Sequence, residues 1–142
     1  MSYPITDLDG VDGEVAEQLK SMGIRTTEKL LEHAKDPKGR KDLSDRLNKV
    51  LPGVKLDEKL ILRWANMADR MRIKGMGKEY AALLRLVGVE TVRELTYRNP
   101  DRLAKAMADA NANRKLVRVL PSEKAIVRWI ENAKKLPLKI SY

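Results

Sequence analysis

The stretch Arg72-Ile73-Lys74-Gly75-Met76-Gly77-Lys78 sets two glycines one residue apart among three cations. Glycine lets the backbone turn with positive φ and lets another molecule approach the main chain closely. Gly77 stands immediately before an amphipathic run, so a helix begins there and its first N–H groups have no partner within the helix. Those donors sit at the positive end of the helix dipole, an arrangement that suits a phosphate. Met76 is placed to pack inward and anchor the turn. Arg72, Lys74 and Lys78 flank the turn with positive charge, and Arg85, two helical turns beyond Lys78, falls on the same side. The predicted phosphate-contacting set is therefore Arg72, Lys74, Gly75, Met76, Gly77, Lys78 and Arg85. Contacts of this kind read backbone and shape rather than base edges.

The elements that must position this turn are helices. Tyr80, Leu83, Leu84 and Val87 share one helical face, as do Val11, Val15, Leu19 and Met22 earlier in the chain. Each of these helices runs into a glycine, Gly88 or Gly23, placed as a C′ residue. Asp36-Pro37 and Asn99-Pro100 read as an N-cap followed by proline at the first helical position. Asp57 and Ser122 cap two further helices that carry Trp64 and Trp129, and Thr91 with Glu94 predicts a capping box. No stretch alternates with period two, and Pro137 makes the tail extended. The expected fold class is all-α.

These features recur at an offset of 65 residues. Leu8-Asp9-Gly10-Val11 matches Ile73-Lys74-Gly75-Met76, Gly23-Ile24 matches Gly88-Val89, and Arg63-Trp64 matches Arg128-Trp129. The middle of each copy matches poorly, yet both ends agree without net shift. Two tandem units are predicted, 1–71 and 72–142, packed with pseudo-two-fold symmetry and with the tryptophans as core anchors.

Gly-hydrophobic-Gly followed by a small residue, with the continuation Gly88-Val89-Glu90-Thr91, resembles the helix-hairpin-helix motif of DNA-binding and DNA-repair proteins. The tandem arrangement, with a tryptophan helix closing each copy, is similar to a small bacterial family of helix-hairpin-helix proteins of unknown function. The resemblance implies nucleic-acid binding through the hairpin. It also implies that a monovalent cation can sit between hairpin carbonyls and a phosphate, although no cofactor is required.

Charge distinguishes the two copies. Residues 1–71 hold 13 basic and 13 acidic side chains, whereas residues 72–142 hold 16 and 7, so the whole net charge of +9 lies in the second. A basic field of this kind favours a polyanion. The first hairpin departs from the pattern: Asp12 stands where the second has Gly77, and its flanks carry Asp7, Asp9, Asp12 and Glu14, where the second unit has Arg72, Lys74 and Lys78. Four carboxylates repel a phosphate, so packing or protein contact is expected of it. The aspartates lack the remainder of a calcium loop and read as an acidic helix start. Secondary basic patches are expected at Lys38, Arg40 and Lys41 and at Arg114, Lys115 and Arg118.

Several function classes fall away. With no cysteine and a single histidine, His33, thiolate chemistry, disulfides and multi-histidine metal sites within one chain are excluded. No phosphate loop or nucleophile elbow occurs. A Schiff-base lyase using Lys78 is the one enzyme class kept in view, and it needs a desolvated lysine. Neither a signal sequence nor a membrane span is present, so a cytoplasmic protein, compatible with the nucleoid, is expected. The predicted activity is non-catalytic, sequence-nonspecific binding of double-stranded DNA, with RNA a second polyanion and no membrane or small-molecule substrate. The alternative is a protein-interaction or self-assembly scaffold in which the acidic first unit meets the basic second unit of another copy.

Overall fold

A computed structural model describes residues 2–142, leaving Met1, the first residue of the predicted unit 1–71, outside the description. The described residues form eight α-helices and no strand, so the chain is all-α: α1 (Gly13–Ser21), α2 (Thr27–Ala34), α3 (Pro37–Val50), α4 (Glu58–Arg70), α5 (Lys78–Leu86), α6 (Val92–Leu95), α7 (Pro100–Arg114) and α8 (Glu123–Lys135). A short 3-10 turn at Ile5–Asp7 precedes them, and Pro4 makes an isolated bridge with Thr26.

Two compact units result: residues 1–69 with 139–142, and residues 70–138. The last four residues, which the repeat arithmetic groups with the second copy, lie with the first unit. Their backbone is held there by Lys35, whose carbonyl accepts the Ser141 N–H at 2.8 Å, and by Arg40, which donates to the Ser141 carbonyl at 2.7 Å. The charge division survives this exchange, because Arg70 and Lys139 trade places between the units.

In the first unit α3 packs against α1 and α2, burying Leu19, Leu30, Leu31, Leu43 and Leu47. In the second, α7 packs against α5 and α8, and α6 lies on α8, burying Leu84, Leu95, Leu103, Met107 and Ile126. Trp64 and Trp129 are both buried. With phenylalanine absent, aliphatic side chains supply most of the apolar area whose removal from water drives folding.

Local signals set the helix ends. The Asp36, Asn99, Asp57 and Ser122 side chains each accept an N–H from three residues onward, at 2.7–3.1 Å. Gly23 and Gly88 have φ of 83° and 88°, and the following residue bonds five positions back in both copies, Ile24 to Leu19 and Val89 to Leu84, each at 2.9 Å. The expected Thr91 capping box is not formed. Thr91 is buried and caps nothing with its side chain, while Glu94 reaches past it to the Glu90 N–H at 2.7 Å.

The poor match in the middle of the repeat has a structural cause. The segment between Thr91 and Asn99 is two residues shorter than that between Thr26 and Asp36, because α6 is a single turn. Helix α7 and the loop after it are each one residue longer than α3 and its loop, which restores the offset of 65 at α8.

Candidate nucleic-acid interface

The second hairpin is built by backbone hydrogen bonds that follow its glycines. Ile73 N–H donates to the Arg70 carbonyl at 3.2 Å and Met76 N–H to the Ile73 carbonyl at 3.1 Å. Gly75 takes φ of 82°, a conformation that disfavours any side chain, and it is exposed. Gly77 is the N-cap of α5, and no side chain caps that end. The first helical bond closes from Ala81 N–H to the Gly77 carbonyl at 3.0 Å, so the preceding N–H groups face outward along the helix axis.

The predicted residues divide by role. Ile73 and Met76 are fully buried, so Met76 is the anchor of the turn and offers no surface. Lys74 and Lys78 are exposed on either side of the turn, with Arg72 and Gly77 half-buried. Arg85 is exposed, but its Nε lies 3.8 Å from the Glu90 carboxylate, which takes up part of its charge.

Three features of this region were not legible in the hairpin sequence. The Lys74 N–H donates to the Asn132 side-chain oxygen at 2.9 Å, tying the turn to α8 across 58 residues. Arg128 and Lys135, one turn either side of Asn132, share its helical face and are exposed, so they add cations beside the turn. The only signal in the sequence is that spacing on α8. Secondly, Tyr80, in the first turn of α5, donates to the Val119 carbonyl at 2.8 Å and packs its ring 5.3 Å from that of Trp129. This sets exposed Arg118, the neighbour of Val119, next to the start of α5.

The third is a buried cation. Arg70 is only 1% exposed, and its guanidinium donates to the Ala81 carbonyl at 2.9 Å and to the Glu90 carbonyl at 2.8 Å. The repeat sets Ile5 in that position, where the backbone N–H of Ile5 donates to Arg25, the equivalent of Glu90, at 3.0 Å. Arg70 ends α4, so its own N–H belongs to the helix ladder and its side chain makes the same connection instead.

The secondary patches fare differently. Arg114, Lys115 and Arg118 are all exposed. In the other patch Lys38 is exposed, whereas Arg40 is buried, donating to the Ala34 carbonyl at 3.0 Å as well as to Ser141, and Lys41 pairs with Asp45 at 3.1 Å. Burial pushes the Arg40 pKa down, opposed by the charge of Asp36, while the hydrogen bond to Asp45 raises that of Lys41. Arg40 is thus a strut of the first unit rather than part of a surface patch.

The first hairpin repeats the turn but not the helix start, where Gly13 takes φ of 50° and the equivalent Lys78 does not. Leu8 and Val11 repeat the two turn bonds at 3.2 and 3.1 Å, Gly10 has φ of 84°, and Ala16 N–H closes α1 onto Asp12 at 3.2 Å. Its exposed groups are Asp9, Asp12 and Glu14. The Asp12 side chain does not cap α1, so its carboxylate stands free beside the helix start.

Among the described residues no helix is long and apolar enough to cross a membrane. Comparison with curated proteins and with solved structures gives no match. A family described as a domain of unknown function, DUF4332, matches residues 9–136, and the chain belongs to that family.

Proposed function

We propose that this protein is a non-catalytic, sequence-nonspecific DNA-binding protein of helix-hairpin-helix type, and that its second hairpin clamps a phosphate of double-stranded DNA. The observation that carries the reading is the uncapped start of α5 between exposed Lys74 and Lys78, beside a glycine whose φ of 82° bares the main chain. Backbone N–H groups supply directional donors and the two lysines supply charge. Arg128, Lys135 and Arg118 extend the positive surface, so neighbouring phosphates of the same backbone are met as well. Arg85 contributes less than its position in the sequence suggests, because Glu90 competes for it.

Binding to labelled duplex DNA, followed by fluorescence anisotropy across a salt series, tests this. With about 4–6 phosphates neutralised, the slope of log K against log salt is roughly −4 to −5. A Lys74→Ala/Lys78→Ala variant that stays folded is expected to flatten the slope by about 2 and weaken binding on every sequence alike. Absence of binding at low salt, or binding that the variant leaves unchanged, refutes the proposal.

A further inference from the structure

The first unit carries an open groove of about 810 Å³ between the start of α1 and the loop after α3. Val50, Leu51 and Val54 form its apolar wall, and Glu14 and Glu17 stand on the opposite side, Glu17 with Lys20 3.8 Å away. Val50 and Val54 are exposed, Val54 by 40%. Apolar side chains gathered beside carboxylates suit an apolar segment that bears cations.

The second unit presents such a segment. After α7 the chain runs Lys115-Leu116-Val117-Arg118-Val119-Leu120 in an irregular loop. Its backbone is fixed at Val117 and Val119. Asn111 holds Val117 through two hydrogen bonds of 3.1 and 3.0 Å, and Tyr80 holds the Val119 carbonyl. The side chains are nevertheless turned to water: Val119 is 70% exposed and Leu120 42%, with Lys115 and Arg118 exposed among them. A loop whose main chain is pinned while two of its apolar side chains, Val119 and Leu120, face solvent loses little freedom when it binds.

We infer that the 115–120 loop of one copy docks in the groove of another, Val119 and Leu120 against Val50 and Val54, and Lys115 and Arg118 facing Glu14 and Glu17. Charge complementarity selects a second copy as the occupant, since both halves of the contact lie exposed on the same chain. The contact is heterologous, with different surfaces on the two partners, so it closes into a ring or runs on as an open assembly. It is also small, so association is expected at high protein concentration and is weakened by salt. This inference is independent of DNA binding by the second hairpin.

The test is sedimentation velocity of the full chain over a concentration series without nucleic acid, using Val119→Asp and Val54→Asp, both at exposed positions, with circular dichroism to verify folding. The wild type should rise above the 16.1 kDa monomer with concentration. Each variant alone should associate at least about tenfold more weakly. An equimolar mixture should regain association, because the Val119→Asp copy keeps an intact groove and the Val54→Asp copy an intact loop. A wild type that stays monomeric overturns the inference and leaves the groove to a different protein. Association that both variants retain, or a mixture that does not recover, overturns it too.

Discussion

The two hairpins share their turn and carry opposite charge around it, though Gly13 opens α1 with φ of 50° where Lys78 opens α5 without one. From Leu8 to Ala16 and from Ile73 to Ala81 the turn bonds, the positive-φ glycine and the first helical bond coincide at an offset of 65. Around that frame one copy displays Asp9 and Asp12 and the other Lys74 and Lys78, while an exposed glutamate, Glu14 or Glu79, opens the helix in both. The buried positions, Leu8 and Val11 against Ile73 and Met76, are apolar in both. Folding thus constrains the inward side chains and the glycine, and leaves the outward ones free to diverge. A hairpin of this geometry is no evidence of phosphate binding until its exposed charges are counted.

The comparison is most strongly tested at the position occupied by Ile5 in one unit and Arg70 in the other. Arg70→Met strips the buried Ala81 carbonyl and the part-buried Glu90 carbonyl of a charged donor, and a loss of about 2–4 kcal/mol is expected from urea denaturation of the second unit. Ile5→Val, which leaves the backbone bond to Arg25 in place, should cost only about 0.5–1.5 kcal/mol. Equal losses would mean that the guanidinium does not replace the backbone donor.

The starts of α3 and α7 give a second contrast. Gly39 and Arg102 occupy the same place after their N-caps, yet a Cβ at Gly39 would run into the His33 carbonyl oxygen. Helix α2 extends to Ala34 and crowds α3, whereas α6 stops at Leu95 and leaves room for a long side chain. Alanine ordinarily stabilises a helix by about 1 kcal/mol over glycine. Gly39→Ala should instead lower stability by about 1–3 kcal/mol, through overpacking, and a raised melting temperature would refute this account.

A third test probes a device that the units share despite their poor match in sequence. Asn48 bonds both the N–H and the carbonyl of Leu56 at 2.9 Å, and Asn111 does the same for Val117. Replacing either with alanine should cost about 1–2 kcal/mol, similar in the two units. The smallest effect sharpens the functional contrast itself. Asp9→Lys with Asp12→Gly gives the first hairpin a second-hairpin charge and cap, and should steepen the salt dependence of DNA binding by about 1. An unchanged slope would show that a hairpin frame with a lysine does not suffice.

Much of this was legible in the sequence because it depends on local chemistry. The Asp36, Asn99, Asp57 and Ser122 caps and the glycine helix ends rest on contacts within a few residues, so residue type alone announces them. The Thr91 box is absent: the buried threonine caps nothing, and Glu94 accepts the Glu90 N–H, one residue earlier, instead. The basic cluster at Lys38, Arg40 and Lys41 was equally deceptive. A charge in the sequence gives no sign of direction, and Arg40 points inward to bond Ala34 and Ser141.

Periodicity, capping and charge count are properties of neighbouring residues, so the helices, most of their ends, the 65-residue sequence repeat and the charge that separates its copies were readable along the chain. That Asn132 steadies the hairpin from 58 residues away, that Arg70 is a buried strut and that Arg118 stands beside α5 emerged from the folded chain alone. Those facts depend on which helix faces are brought together when the core closes, and packing between distant segments leaves no local pattern to read.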